Sequence, residues 1–307
     1  MRPYFYSAGF ILFGLLIATV IPFLLEFTDD FLISLQIPQN NAQVAGIQKY
    51  NTPPISRNLP MPTIGARAVL IKDLATGTIL FEKDSNIPVP IASITKIMTA
   101  LVASEYFKQN SVLTVGNSAT VAGSRVGLAR GEDLTFRSLL YGMLLNSGND
   151  AAFTVGENYP GGVLGFVSAM NKKALSLGLK NTHFDNPAGF DSVKHYSSAA
   201  DLAEVTEEAL KNPQLSKIFA TKETNIVSLD KKYTHQLLNL NKLLSDVKGV
   251  LGVKTGTTEE AKQNLVTLVK RDEHRVLLVL LGSNNRFSET TKLIDWTYSN
   301  FEWPQIQ

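Results

Sequence analysis

The sequence predicts an α/β fold: one antiparallel sheet built from both ends of a domain, flanked by helices, with a helical insertion between its two contributions and one transmembrane helix ahead of it. Three observations predict it. Short β-type runs occur at residues 67–83 and again at 249–281, several segments between them carry helical periodicity, and the first 25 residues contain an uncharged stretch.

That stretch, Pro3 to Leu25, has 23 residues, enough at 1.5 Å per residue to cross a ~30 Å hydrocarbon core. Aromatic residues stand at both ends (Tyr4, Phe5, Tyr6, Phe23, Phe27), and nothing polar recurs at helical spacing. A cleaved signal has a shorter apolar region followed by a small-residue site, so residues 1–28 read as an uncleaved anchor. Arg2 precedes the run and Glu26, Asp29 and Asp30 follow it, which places the remainder outside the cytoplasm. Residues 29–62 read as a linker: Pro38, Pro53, Pro54, Pro60 and Pro62 punctuate a stretch without helical or alternating pattern. An extended arm lying on the domain surface fits the same composition. Patterned sequence, and with it the predicted catalytic domain, occupies 63–307.

Within that domain, Arg67–Asp73 and Thr78–Lys83 flank Leu74-Ala75-Thr76-Gly77, a strand, turn and strand. Ile94, Ile97, Met98, Leu101 and Val102 form an apolar helical stripe. Further helices are predicted from about Thr135 to Leu145, from Asp150 to Glu157 after an interruption at Gly148, and through Val163, Phe166, Val167, Met170 and Ala174 up to Gly178. Ser198-Ala-Ala-Asp201 has the form of a capping box opening a helix that stops at Asn212-Pro213. Gly249–Thr255, Asn264–Lys270 and Arg275–Leu281 read as strands, the last two joined by a hairpin at Arg271–His274, and Ser288–Phe301 as a closing amphipathic helix. A cleft is expected where the insertion meets the sheet.

Composition narrows the chemistry. With 44% hydrophobic and 18% charged residues the chain is not disordered, and a net charge of +2 lacks the basic footprint of a nucleic-acid binder. The absence of cysteine removes disulfides and thiolate zinc sites. The four histidines form no H-E-x-x-H pair, no G-x-G-x-x-G or G-x-S-x-G is present, and Gly249–Gly256 lacks the Gly-Lys-Ser/Thr ending of a phosphate loop.

What remains is a serine activated by lysine. Ser93-Ile94-Thr95-Lys96 opens the striped helix, and i, i+3 spacing sets hydroxyl and amine side by side. Desolvation and a nearby cation both favour the neutral amine such a base requires. Ser228–Lys231 and Ser245–Lys248 share this spacing, and Ser56–Asn58 and Ser283–Asn285 share the S-x-N of Ser147-Gly148-Asn149. Order separates them: only Ser93 precedes an S-x-N, 54 residues on, that itself precedes the single Lys254-Thr255-Gly256, a further 107 residues on.

With "PIASITKIMTALV", "GLARGEDLTFRSLLYGMLLNSGNDAA", "THFDNPAGF" and "HYSSAADLA" in the same order, the chain from about Ala66 to Arg286 resembles the serine D-alanyl-D-alanine carboxypeptidases, low-molecular-mass penicillin-binding proteins with a β-lactamase/transpeptidase-like fold. The resemblance implies removal of the terminal D-Ala from peptidoglycan stem peptides through an acyl-enzyme, with β-lactams as acylating inhibitors and no metal or organic cofactor. It assigns Ser93 as nucleophile, Lys96 as base, Ser147 as proton relay and Asn149 as a peptide holder. Lys254, Thr255, Gly256 and Thr257 would form the substrate-binding strand, the two lysine-motif side chains on the carboxylate, with Arg286 assisting and the Ser93 and Thr257 N–H groups forming an oxyanion hole.

Two departures stand out: Thr257–Lys262 replaces a small Ala-Gly pair beside the substrate site, and Ala188 stands where relatives often carry His. Relatives often add a second β-rich domain and a C-terminal membrane helix; here the N-terminal run is the expected tether. D,D-endopeptidase or transpeptidase activity fits the same motifs. A class A β-lactamase needs a deacylating Glu, and Met170–Leu202 has none. A silent muropeptide or β-lactam sensor is disfavoured by the intact Ser93, Lys96 and Lys254.

Overall fold

The strands expected at the two ends of the domain meet in one sheet. The computed structural model describes residues 52–304. The predicted anchor, Pro3–Leu25, lies outside them, and no helix among the described residues is long and apolar enough to cross a membrane.

In chain order, β1 (Ile55–Ser56), β2 (Ala68–Asp73) and β3 (Ile79–Lys83) lead into a 3-10 turn at Ala92–Thr95 and α1 (Lys96–Tyr106). The insertion follows with β4 (Val112–Thr114), β5 (Asp133–Thr135), α2 (Phe136–Leu144), α3 (Asn149–Glu157), α4 (Gly162–Ser176), α5 (Ala199–Leu210) and α6 (Pro213–Phe219). After the hairpin β6 (Glu223–Val227) and β7 (Thr234–Leu238) and the short α7 (Leu243–Asp246) come β8 (Val250–Thr258), β9 (Lys262–Arg271), β10 (His274–Ser283), α8 (Arg286–Asn300) and β11 (Phe301–Glu302).

The main sheet is antiparallel with strand order β3-β2-β10-β9-β8, so β10 closes the sheet by pairing with β2, Leu278 opposite Ile71. Successive side chains of a strand point to opposite faces, and β10 uses both. Leu277, Val279 and Leu281 enter the core shared with the helical insertion; Val276, Leu278 and Leu280 enter a second core against Leu293 and Ile294 of α8. Helices on both faces account for the unbroken apolar run of β10 and for that of β9, broken only at Thr267. The sequence of α1 shows one apolar stripe although every residue from Lys96 to Ala103 is buried, because α1 packs among α2, α3, α4 and α5.

The Asn212-Pro213 pair does end α5, but it also opens α6, a helix the sequence reading left out. Asn212 Oδ1 accepts from the Gln214 N–H at 2.9 Å, and Pro213 occupies the first turn, where its missing N–H costs nothing. The β4–β5 and β6–β7 pairs were likewise unforeseen, since strands of three to five residues carry too little alternation. The Ser198 cap is present, its hydroxyl accepting from the Asp201 N–H at 3.1 Å. Of the stretch read as linker, residues 52–62 lie within the described chain and follow the surface-arm alternative: β1 pairs with β11, and the Arg57 N–H reaches Asn300 O at 2.7 Å.

Candidate active site

Ser93 lies in the tight turn that starts α1, one residue after Ala92, whose φ of +50° is left-handed for a residue with a Cβ. Such a backbone costs about 1–2 kcal/mol and persists only where its surroundings hold it. Here the Thr95 hydroxyl donates to Ala92 O at 2.8 Å, and β8 packs onto the turn so closely that a Cβ on Gly256 would stand 3.1 Å from Ser93 N. A side chain in place of Gly256 would therefore press directly on the backbone of the Ser93 turn. The result is a half-buried Ser93 hydroxyl at the lip of the helix.

One turn along, Lys96 is wholly buried, and its Nζ meets three oxygens: Ser93 Oγ at 2.9 Å, Asn149 Oδ1 at 2.8 Å and Ala188 O at 2.6 Å. Burial pushes its pKa well below the usual lysine range, and the positive charge of Lys254 pushes the same way, against a smaller opposing pull from Asp150.

Ser147 lies in the link between α2 and α3, and Asn149 is the first residue of α3. Ser147 has a φ of +59°, which turns the chain so that its hydroxyl faces β8 while Asn149 faces α1. Asn149 Nδ2 donates to Ala122 O at 2.8 Å, which leaves its Oδ1 for Lys96. The next residue, Asp150, is fully buried and accepts the N–H groups of Val126, Gly127 and Leu128 at 2.9, 2.8 and 3.1 Å, clamping the loop beside the site. Sequence reasoning passed over Asp150, although an acid in the first turn of a helix after Asn149 was a signal.

Lys254, on β8, is 1% exposed; its Nζ donates to Ser147 Oγ at 3.0 Å and to Thr255 O at 2.9 Å. Burial lowers its pKa to about 7, with the nearby Arg286 guanidinium adding to the effect. Arg286, where β10 gives way to α8, reaches Gly256 O at 2.9 Å and also bonds the Thr257 hydroxyl. Thr255 is buried beside them and Thr257 is exposed on the strand end. The predicted residues therefore converge in two hydrogen-bonded groups, Ser93–Lys96–Asn149 and Ser147–Lys254, with Gly256 buried against the Ser93 turn and Arg286 bonded to the exposed Thr257 beyond it. Of the competing serine–lysine pairs, Ser228 bonds Asp230 Oδ1 at 2.7 Å instead of Lys231.

The departure at Thr257–Lys262 has a structural solution. The Thr258 hydroxyl donates to Asp191 Oδ1 at 2.7 Å and accepts from the Ala261 N–H at 3.1 Å, so one side chain ties the hairpin turn to the 186–191 loop. At Ala188 the loop contributes its backbone carbonyl, a role invisible to side-chain motifs.

Residues 55–285 match the Peptidase_S11 family, described as D-alanyl-D-alanine carboxypeptidase. The chain is 38% identical over 247 residues to the D-alanyl-D-alanine carboxypeptidase DacF of Bacillus subtilis, covering 77% of this chain and 63% of that protein. It is 33% identical over 253 residues to a D-alanyl-D-alanine endopeptidase of Pseudomonas aeruginosa, 80% of this chain and 81% of the relative. Among solved structures, the Streptomyces K15 DD-transpeptidase superposes with a TM-score of 0.74 at 32% identity, covering 78% of this chain and 100% of that one. The penicillin-binding, β-lactamase-like architecture expected from the sequence is thereby established, and the chain belongs to the S11 family of D-alanyl-D-alanine carboxypeptidases.

Proposed function

We propose that this chain is a serine D-Ala-D-Ala carboxypeptidase that removes the terminal D-Ala from peptidoglycan stem peptides through an acyl-enzyme on Ser93, and that β-lactams acylate the same hydroxyl. The observation that carries the reading is a wholly buried Lys96 amine, its charged form disfavoured, 2.9 Å from the Ser93 hydroxyl. Lys96 takes the Oγ proton as Oγ attacks the carbonyl carbon of the penultimate residue. The carbonyl π electrons move to oxygen, opposite the N–H groups of Ser93 and Thr257, fixed donors that need no reorganisation. The C–N bond then breaks, and the departing amine receives its proton through Ser147. Water attacks the ester in the second half-reaction and restores the serine.

Lys254, Thr255 and Arg286 set the requirement for a free terminal carboxylate, and Asn149 holds the peptide. Burial lowers the Lys254 pKa to about 7 in the free protein, and an incoming carboxylate favours the charged form. The endopeptidase and transpeptidase among the relatives favour a second reading with the same acyl-enzyme and a different bond or acceptor.

Mass spectrometry of intact protein after a β-lactam, and separately after a D-Ala-D-Ala pentapeptide with and without an amine acceptor, tests all of this. An adduct on Ser93 and release of one D-Ala are expected; transfer to the amine in place of hydrolysis would select the second reading. An adduct on Ser147, Ser228 or Ser245 would overturn the assignment.

The uncharged run Pro3–Leu25 supports a single-pass anchor with the catalytic domain outside the cytoplasm. Full-length protein should fractionate with membranes, and protein beginning at Thr52 should be soluble and active. A native N-terminus between Glu26 and Asn51 would mean that the run is a cleaved signal.

A further inference from the structure

A neutral amine has two N–H bonds and one lone pair, so its three hydrogen-bond partners cannot all be acceptors. Around Lys96 Nζ, Asn149 Oδ1 and Ala188 O can only accept, the asparagine because its Nδ2 is committed to Ala122 O. Ser93 Oγ is the one partner that can donate. With both acceptors in place, the two hydrogens are used and the lone pair is left facing the serine hydroxyl. Without the Ala188 carbonyl, one N–H is free to turn toward Oγ, and the amine then donates to the group it must deprotonate.

The Ala188 carbonyl belongs to no helix or strand; a side chain holds it. Asn186 Oδ1 accepts three successive N–H groups, from Ala188, Gly189 and Phe190, at 3.1, 2.7 and 3.0 Å, and its Nδ2 donates to Phe190 O at 3.1 Å. The turn it closes is pressed against the nucleophile's own turn: Gly189 has a φ of +92°, and a Cβ there would stand 1.9 Å from Ala92 O. The buried His195 joins the two. Its Nδ1 accepts the Asp185 N–H at 3.0 Å, so the remaining ring N–H, at Nε2, faces the Thr95 hydroxyl at 2.7 Å, and that hydroxyl in turn donates to Ala92 O.

We propose that Asn186 is a positioning residue for acylation: by folding the 186–190 turn onto its own amide oxygen it fixes the Ala188 carbonyl on Lys96, so that the lone pair of the amine is reserved for Ser93. This rests on the reading of Ser93 and Lys96 as nucleophile and base.

The pH dependence of β-lactam acylation separates this role from simple packing. The charged or titratable groups that act on Lys96 are Lys254 from β8 and Asp150 from α3, and beside it lies His195, which burial keeps neutral down to about pH 4. Substitution at residue 186 leaves the Lys254 and Asp150 charges in place; it removes Asn186 Nδ2 from its position 3.4 Å from His195 Nδ1, a ring that is neutral above about pH 4. For Asn186→Ala the plateau acylation rate should fall about tenfold or more, as misplacement of a reacting group does, with non-covalent β-lactam affinity unchanged within about twofold. The acid limb should stay in place or move to lower pH, because the charged amine has lost an acceptor. A loosened loop that merely admitted water would relieve the burial of Lys96 and move the limb to higher pH. Asn186→Asp keeps the acceptor oxygen for the same three N–H groups and should recover most of the plateau, although its charge raises the acid limb.

A wild-type plateau in Asn186→Ala, an acid limb moved to higher pH in that variant, or an Asp variant no better than Ala would each overturn the proposal. Failure of unaltered protein to form a Ser93 adduct would instead sink the reading beneath it.

Discussion

The two faces of the sheet solve different problems. Against α8 the second core is almost purely apolar: Val69, Ile71, Leu265, Val276, Leu278, Leu280, Leu293 and Ile294, edged by Phe81 and Phe301 set edge-on to Trp296. The buried polar groups of α8 mostly tie down the chain that precedes β2: Glu289 accepts the Ala66 N–H at 2.9 Å and Asn300 Oδ1 the Leu59 N–H at 2.7 Å, while the Thr297 hydroxyl donates to Leu293 O one turn back. The face toward the insertion buries Lys96, Asn149, Asp150, His195 and Lys254, each bonded to a residue from another segment of the fold. Burying such groups is costly unless every partner is in place, so this face is over-determined by hydrogen bonds while the other is stabilised by area removed from water. The expectation is that damage to the first face appears in chemistry and damage to the second in stability.

The largest effect should come from Lys96→Arg, a substitution that keeps positive charge and loses basicity. A guanidinium stays protonated at any working pH, so β-lactam acylation should fall about as far as in Lys96→Ala, on the order of 10²–10⁴-fold, the contribution of a positioned base. Stopped-flow or mass-spectrometric acylation rates decide it. Substantial acylation by the arginine variant would mean that the lysine supplies charge.

On the opposite face, Leu293→Ala removes a fully buried side chain and should cost about 2–5 kcal/mol in urea unfolding, while acylation per folded molecule stays at the wild-type rate. A lowered acylation rate in the folded variant would dissolve the division between the faces.

Lys254→Gln sharpens the comparison within the catalytic face. Burial is the main cause of the lowered Lys96 pKa, and Lys254 adds to it, so removing that charge raises the pKa. The fraction of neutral base at a given acidic pH then falls, and the acid limb of the acylation profile moves to higher pH. The preference for a free over an amidated peptide C-terminus should shrink as well. A lost preference with an unmoved limb would leave Lys254 as a carboxylate anchor only.

The smallest effect is expected for Ser198→Ala, which removes the cap of α5 at a cost of about 1 kcal/mol, read from the unfolding midpoint without change in labelling.

How much of this was legible is clearest at individual residues. Ser93, Ser147 and Lys254 were singled out by the order of their motifs along the chain, which side-chain type and spacing alone reveal. Asn212-Pro213 was legible but read for one meaning only; the same pair that stops one helix caps the next. The Thr258–Asp191 tie and the two short hairpins had no usable signal, since a single hydroxyl–carboxylate bond between distant loops leaves no periodicity.

The sequence by itself determined the main helical and strand periods of the domain and the order in which the Ser93, Ser147 and Lys254 motifs follow one another. Those follow from local side-chain type and spacing, which persist in one dimension. Only the tertiary structure decided that α1 is buried on every side, that Ser147 pairs with Lys254 while Asn149 pairs with Lys96, and that a backbone carbonyl at residue 188 completes the surroundings of the Lys96 amine. A carbonyl is carried by every residue, so nothing in the letters marks the one that matters; its role is fixed by where packing brings it.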